Sequence, residues 1–206
     1  QNSFNIKDTI QFTKTHSYLF NFHNKYPFTN LQNSLGVVYI VRDPRNVVES
    51  LAKFNSISIE QSSTVMTEQL TIGTNDISRD MSKIYTGTWA SNFNSWKTFK
   101  THQKYLLIKY EDLVSKRELV FLKILKFIYY LNNSKFLVDQ KKFTNVINTT
   151  DFEKLKKLET EEGFSEARED KKTRKKIPFF DQGPKRDWRK TLDINIRKKL
   201  ETSFKN

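Results

Sequence analysis

The sequence GVVYIVRDPRNVVES, residues 36–50, joins a predicted strand directly to a predicted helix. Residues 37–41 are apolar, rich in β-branched side chains and uninterrupted by polar residues, which is typical of a strand covered on both faces in a parallel sheet. Asp43 then stands where a helix N-cap belongs, and Pro44 stands at the first helical position. We therefore predict an α/β fold whose functional groups lie at this junction.

The junction leaves Arg42 at the carboxyl end of the predicted strand. In open α/β sheets ligands bind outside these ends, where free N–H groups of a helix N-terminus attract anions and an arginine adds a bidentate clamp. This placement predicts a phosphate site. The alternative is that Arg42, Asp43 and Arg45 only cap the helix and pair with one another at the surface.

The composition narrows the class of protein without choosing a ligand. A chain of 206 residues, 36% of them hydrophobic, can bury one sizeable core, so residues 1–206 are expected to form a single domain. The formal charge of +13 attracts polyanions, but nucleic acid, acidic lipid and a multiply phosphorylated nucleotide all satisfy that condition. There is no cysteine, and His16, His23 and His102 lack metal-ligand spacing, so we expect no metal. We also expect no membrane span, because no apolar run approaches about 20 residues.

Further strands and helices are predicted on both sides of the junction. In residues 9–15 apolar and polar side chains alternate around Ile10 and Phe12, which predicts a strand that ends near Lys14 and His16. A lone histidine at the end of a strand is more often structural than catalytic. Helices are predicted at residues 59–70, at 87–100 with an aromatic face that we interpret as core packing, and at 193–204.

A second strand-to-helix junction is predicted at residues 105–110. The short apolar strand YLLIK leads at Tyr110 into a long helix. In contrast, the charged residues 153–176 are interpreted as solvated surface, and the aromatic-rich residues 17–35 as a loop.

Two motifs resemble those of the sulfotransferases that use 3′-phosphoadenosine 5′-phosphosulfate (PAPS). YIVRDPRNVVES resembles their 3′-phosphate-binding motif, which implies that Arg42 and Ser50 hold the 3′-phosphate. KTH resembles the sequence around the catalytic histidine of the cytosolic-type branch, which implies that His16 is the general base and that Lys14 contacts the sulfuryl group. That branch implies a cytoplasmic protein with a small-molecule hydroxyl acceptor, and leaves a homodimer open. The 17–35 loop would border the acceptor pocket in this family, and its aromatic side chains either line that pocket or belong to the core. They are Tyr18, Phe20, Phe22 and Phe28.

The resemblance continues in residues expected to contact adenine. YEDL and TDF match family segments with this role, which implies that Tyr110, Thr150 and Phe152 bind the base. A tyrosine at the end of a buried strand and a TxF triplet are each weak signals by themselves, so ordinary core packing stays open as an alternative.

The loop FFDQGPKRDW, residues 179–188, resembles the family segment that wraps the 3′-phosphate, and Gly183 aligns with the glycine of that segment. Asp181 and Gln182 stand where the family has Arg and Lys, and we expect Lys185 and Arg186 to replace these cations.

The family also has an N-terminal loop of Lys-Ser-Gly-Thr-Thr type that cradles the 5′-phosphosulfate, and this sequence contains no such loop. The resemblance therefore implies a P-loop NTPase-like α/β fold, a three-layer parallel sheet flanked by helices, truncated at its N-terminus. We expect a sulfotransferase that releases adenosine 3′,5′-bisphosphate, but a chain that is inactive alone. The alternative is a non-enzymatic basic module that binds nucleotide or nucleic acid. A P-loop kinase is disfavoured because GK[ST] is absent.

Overall fold

The computed structural model describes residues 4–6, 10–22, 25–68, 84–170 and 173–204. The strands are β1 (Phe4–Ile6), β2 (Ile10–Phe12), β3 (Asn21–Phe22), β4 (Tyr26–Pro27), β5 (Val37–Val41), β6 (Tyr105–Lys109), β7 (Arg168–Glu169) and β8 (Lys176–Ile177). The helices are α1 (Pro44–Asn55), α2 (Ile59–Glu68), α3 (Trp89–Trp96), α4 (Tyr110–Ser115), α5 (Arg117–Leu131), α6 (Gln140–Thr149), α7 (Phe152–Glu162), α8 (Trp188–Thr191) and α9 (Ile194–Ser203).

Strands β5 and β6 form a parallel pair, in register from Val37 opposite Tyr105 to Val41 opposite Lys109. Parallel neighbours need a crossover connection, and here α1, α2 and α3 lie in the sequence between the two strands. The other pairings among the described residues are the antiparallel hairpins β1–β2, β3–β4 and β7–β8. The mixed helix and strand content, with two strand-to-helix junctions side by side, is the α/β arrangement that the sequence predicts.

Burial along β5 alternates, so the expectation that this strand is covered on both faces is wrong for one face. Val38 and Ile40 keep 36% and 54% of their surface exposed. They share a sheet face with Leu106 and Ile108 of β6, which are buried against Val120 of α5. Helix α5 thus covers β6 and leaves the neighbouring part of this face open. Helix α3 lies against the opposite face, where the Tyr39 hydroxyl donates a hydrogen bond of 2.9 Å to the side-chain oxygen of Asn92.

Helix α1 begins as predicted. The Asp43 carboxylate accepts a hydrogen bond of 2.9 Å from the backbone N–H of Arg45, and Pro44 occupies the first turn. Further along, the fully buried Val48 packs with Met66 of α2 and Leu200 of α9. This core fixes the direction in which α1 leaves the sheet, and therefore the positions of the residues along its exposed side.

Three predicted helices differ in their ends. The long helix expected after Tyr110 is two helices, because the backbone at Lys116 leaves helical geometry between α4 and α5. The aromatic helix ends at Trp96 and continues as a 3₁₀ turn, whose fully buried Phe99 confirms the core interpretation. Helix α2 is described to Glu68, and the last two residues predicted for it lie outside the described residues.

Candidate active site

The two strand-to-helix junctions place Arg42 and Tyr110 side by side. Each residue directly follows one end of the parallel pair, because Val41 of β5 is opposite Lys109 of β6. The Arg42 guanidinium lies over the Tyr110 ring, 4.4 Å from its centroid. Stacking of this kind holds the guanidinium plane in a fixed orientation while its edges remain available to hydrogen-bond acceptors.

The C-terminal loop brings Gly183 onto Arg42. The Gly183 carbonyl accepts a hydrogen bond of 2.6 Å from Nη2 of Arg42. Gly183 has a φ of +48°, and a Cβ at this position would overlap the Phe152 ring. Glycine is therefore required both by the backbone and by the close approach of an aromatic side chain. Arg42, Tyr110, Phe152 and Gly183, which come from distant parts of the sequence, converge on one place.

Arg42 retains an unused donor in this setting. Its Nε is buried, and no described residue accepts a hydrogen bond from it. Burial lowers the pKa of Arg42, and the neighbouring Arg186 lowers it further, while Tyr110 and Glu111 oppose that change. Since a buried, unpaired donor is costly, an anionic ligand that accepts from Nε fits this position.

The two cations expected to replace the missing Arg-Lys pair have different surroundings. Arg186 is 9% exposed, and its guanidinium contacts Oε2 of the buried Glu49 at 2.9 Å and Oδ2 of Asp181 at 3.3 Å. Lys185 is 75% exposed and pairs with Glu153 at 2.8 Å. The structure thus ties Arg186 into the protein interior and leaves Lys185 in solvent, and the role of both in nucleotide binding stays a prediction.

Helix α1 faces the C-terminal loop along its length. The side-chain oxygen of Asn46 accepts a hydrogen bond of 3.0 Å from the backbone N–H of Trp188. Two turns later, Lys53 Nζ lies 2.8 Å from Oδ2 of Asp181. Ser50 is exposed on the same helix, three residues before Lys53 and therefore next to it on the helix surface.

Thr150 lies between α6 and α7, and its hydroxyl donates to the backbone carbonyl of Val146 at 2.7 Å. The following residue, Asp151, caps α7 and contacts Arg117 at 2.7 Å. These contacts fix the start of α7, and with it the Phe152 ring beneath Gly183.

Lys14 and His16 follow β2 and form a second group with Glu166. Lys14 Nζ contacts the two oxygens of Glu166 at 2.7 and 2.9 Å, and both side chains are exposed. The His16 ring keeps contact with solvent, but the surrounding protein removes part of its hydration, and this partial desolvation, together with the charge of Lys14, lowers the pKa of His16, whereas the Glu166 carboxylate opposes this shift. His16 therefore stays neutral, and able to accept a proton, somewhat below the usual histidine range.

The backbone behind His16 is anchored although its side chain is exposed. The His16 carbonyl accepts from the Asn92 side chain at 3.0 Å, and the Ser17 carbonyl accepts from Nε1 of the buried Trp96 at 3.1 Å. The predicted pocket aromatics begin here as a cluster, in which the Phe20 ring is tilted against Tyr18 at 5.2 Å between centroids and stacked on Phe28 at 5.6 Å. The side chain of Phe22 lies outside the described residues.

Sequence reasoning missed Glu49, Lys53 and Glu166. Glu49 could have been found, because it lies in α1 between Val48 and Ala52, which are both buried core residues. A carboxylate on that side of the helix is buried as well and therefore requires a charged or hydrogen-bonding partner. The partners of Lys53 and Glu166 are more than 120 residues distant in the sequence, so no local pattern could reveal them.

Within the described part of the chain, no group of three or more His, Cys, Asp or Glu side chains is arranged to hold a metal ion. His23 lies outside that part. None of the described helices is both long enough and apolar enough to cross a membrane.

Comparisons with known proteins bear on the fold and on the family of this chain. The crystal structure of mouse sulfotransferase SULT7A1 complexed with PAP matches with a TM-score of 0.55 and 17% sequence identity, over 90% of this chain and 64% of that chain. The chain thus spans less than two thirds of that solved protein, and the likeness identifies the fold. No curated protein matches the sequence. The family model described as sulfotransferase domain matches residues 5–206, and the chain therefore belongs to the sulfotransferase domain family.

Proposed function

We propose that this chain is the nucleotide- and acceptor-binding part of an enzyme that transfers the sulfuryl group of PAPS to a hydroxyl. The convergence of Arg42, Tyr110, Phe152 and Gly183 supports this proposal most directly. It combines the Tyr110 and Phe152 rings with a half-buried guanidinium whose Nε has no hydrogen-bond partner among the described residues. A phosphorylated adenosine needs these same groups, since the base stacks and the phosphate accepts charge-assisted hydrogen bonds.

In the proposed reaction, His16 removes the proton from the acceptor hydroxyl as its oxygen attacks sulfur. The bond between sulfur and the bridging oxygen of the phosphosulfate breaks, and adenosine 3′,5′-bisphosphate leaves with that oxygen. The products are a sulfate ester and a protonated His16, which returns its proton to solvent. Lys14 stabilises the negative charge of the sulfuryl group in transit, which requires that it exchange Glu166 for the donor.

On the nucleotide side, we propose that Arg42 and Ser50 bind the 3′-phosphate, with Lys185 and Arg186 as additional cations. Tyr110, Thr150 and Phe152 bind adenine, and Gly183 gives the loop its close approach to the ring. This proposal takes residues 1–206 as one domain, in the cytoplasm, with a small-molecule acceptor and without nucleic acid as a partner. A homodimer remains open.

The phosphosulfate loop of the family is absent from the sequence, so we propose that the 206-residue chain alone does not transfer sulfuryl. The test compares this chain with the same chain preceded by an added strand and loop of the family's Lys-Ser-Gly-Thr-Thr type. Each protein is incubated with PAPS and a phenol and analysed for the aryl sulfate. We expect turnover only where the extension supplies a Lys-Ser-Gly-Thr-like loop.

Turnover by the 206-residue chain at ordinary enzyme rates would contradict the proposal that it lacks an essential loop. Failure of both proteins to bind adenosine 3′,5′-bisphosphate in calorimetry would contradict the nucleotide assignment. In that case the basic charge of +13 would favour the nucleic-acid alternative, whose affinity falls steeply with added salt.

A further inference from the structure

The C-terminal loop satisfies the cations around it with its own oxygens. The Gly183 carbonyl accepts from Arg42, and the Asp181 carboxylate lies between Lys53 and Arg186. Both Asp181 contacts involve the same atom, Oδ2, at 2.8 Å from Lys53 Nζ and 3.3 Å from Arg186 Nη2. An ammonium and a guanidinium that share one carboxylate oxygen can hold a phosphate oxygen in the same way, because both donate charge-assisted hydrogen bonds to an anionic acceptor.

The position of Lys53 relates this pair of cations to the proposed phosphate site. Lys53 lies three residues beyond Ser50 on α1, so the two side chains are neighbours on the helix surface. A 3′-phosphate that accepts a hydrogen bond from the exposed Ser50 hydroxyl would therefore lie within reach of Lys53 Nζ. Lys53 is 44% exposed, so its ammonium is accessible from solvent.

Charge around the loop is balanced before any ligand binds. Lys53 and Arg186 face two carboxylates, those of Asp181 and the buried Glu49. A phosphate entering this group meets like charge, which costs free energy unless one carboxylate withdraws. Glu49 is 8% exposed and held by Arg186 and Thr191, whereas Asp181 is 30% exposed and lies outside any helix or strand. Asp181 is therefore the carboxylate that can move without loss of regular structure.

We propose that Lys53 and Arg186 complete the 3′-phosphate site and that Asp181 occupies it as a resident anion, which the 3′-phosphate of the nucleotide displaces. The inference rests on the proposed function, because it assigns affinity and selectivity to that same site. It makes Lys53 a binding residue and Asp181 a residue that sets the strength of 3′-phosphate recognition.

The test measures binding of adenosine 3′,5′-bisphosphate and adenosine 5′-phosphate to the 206-residue chain by calorimetry. Asp181→Asn keeps the size of the side chain and removes its charge, so we expect about tenfold tighter binding of the bisphosphate and unchanged binding of the monophosphate. Lys53→Gln should weaken the bisphosphate about tenfold and leave the monophosphate unchanged. Glu161→Gln, which removes the same charge from an exposed pair on α7, is the matched control and should change neither affinity.

Three results would overturn the inference. Unchanged or weaker bisphosphate binding by Asp181→Asn would show that Asp181 does not compete with the ligand. Equal tightening of both nucleotides, or tightening in Glu161→Gln, would show a general effect of charge. An unchanged preference for the bisphosphate in Lys53→Gln would remove Lys53 from the site. Wild-type binding is measured first, in the 206-residue chain and in the extended protein, and the variants are compared in the protein that binds. Absence of bisphosphate binding by both wild-type proteins would instead overturn the proposed function itself.

Discussion

The two halves of the proposed site are built in different ways. On the nucleotide side, the pair Arg186–Glu49 has side chains that are 9% and 8% exposed, and it fastens the C-terminal loop to α1. On the acceptor side, the pair Lys14–Glu166 has side chains that are 58% and 44% exposed. The first pair is part of the folded interior, and the second is a solvated contact that can exchange its partners. The anchor of the nucleotide side is therefore fixed by folding, and only Asp181 beside it is proposed to move, whereas the acceptor side depends on a pair that is free to rearrange as a whole.

The strongest test of this division removes the proposed base. We expect His16→Ala, in an extended protein that transfers sulfuryl, to lower turnover by about 10²–10⁴-fold while nucleotide affinity stays the same. His102→Ala is the matched control, because His102 is also exposed but lies in the 3₁₀ turn after α3. Steady-state rates and calorimetry on both variants check the prediction. Wild-type turnover in His16→Ala would move the base to another residue.

The buried pair should dominate stability. Glu49→Gln leaves the guanidinium of Arg186 with only Asp181 as a counter-charge, and we expect it to lower the free energy of unfolding by about 3 kcal/mol. Denaturant unfolding of the 206-residue chain measures this change. A loss below that of the exposed-pair variant Glu166→Gln would contradict the contrast between the two halves.

Arg42 should contribute to ligand binding. We expect Arg42→Ala to weaken adenosine 3′,5′-bisphosphate by about 1.5–3 kcal/mol, because a charge-assisted contact to the 3′-phosphate is lost. Adenosine 5′-phosphate should be affected much less. Lys142→Ala, which removes an 86% exposed cation from α6, serves as the control. Equal weakening of both nucleotides in calorimetry would refute the 3′-phosphate assignment.

The exposed pair should matter least for stability. Glu166→Gln is expected to change the free energy of unfolding by about 0–1 kcal/mol, the usual range for a solvated ion pair. The same change should lower the pKa of His16 further, because the Glu166 carboxylate now opposes the downward effects of burial and Lys14. Lys14→Gln should raise that pKa. Proton NMR titration of the histidine ring resolves both shifts, and movement in the opposite directions would contradict this arrangement.

Local signals in the sequence predicted the first junction well. Asp43 and Pro44 determine the start of α1 by their own chemistry, so no distant residue has to be known. The apolar runs of β5 and β6 likewise predict strands, and the sulfotransferase resemblance is confirmed by the family match. The exposure of Val38 and Ile40 could not be predicted, because it depends on where α5 packs.

The site residues also divide into those that local sequence signals identify and those whose contacts depend on distant parts of the chain. Arg42 and Tyr110 were identified from strand ends and from the family motifs, and the structure brings them into contact. The pairing of Arg186 with Glu49 depends on how a loop 137 residues distant in the sequence docks on α1. Residue type and spacing cannot reveal such a contact, and for this reason the surroundings of Arg186 and Lys185 became visible only in the structure.

The close approach of Gly183 to Phe152 has a consequence for how the family can vary. A side chain at position 183 would overlap the ring at position 152, and the left-handed backbone there already disfavours any other residue. A side chain at position 183 is therefore tolerated only with a smaller residue at position 152, whereas a smaller residue at position 152 leaves Gly183 unhindered. Across homologous genes these two positions are expected to covary, so that glycine is kept wherever the aromatic ring is kept.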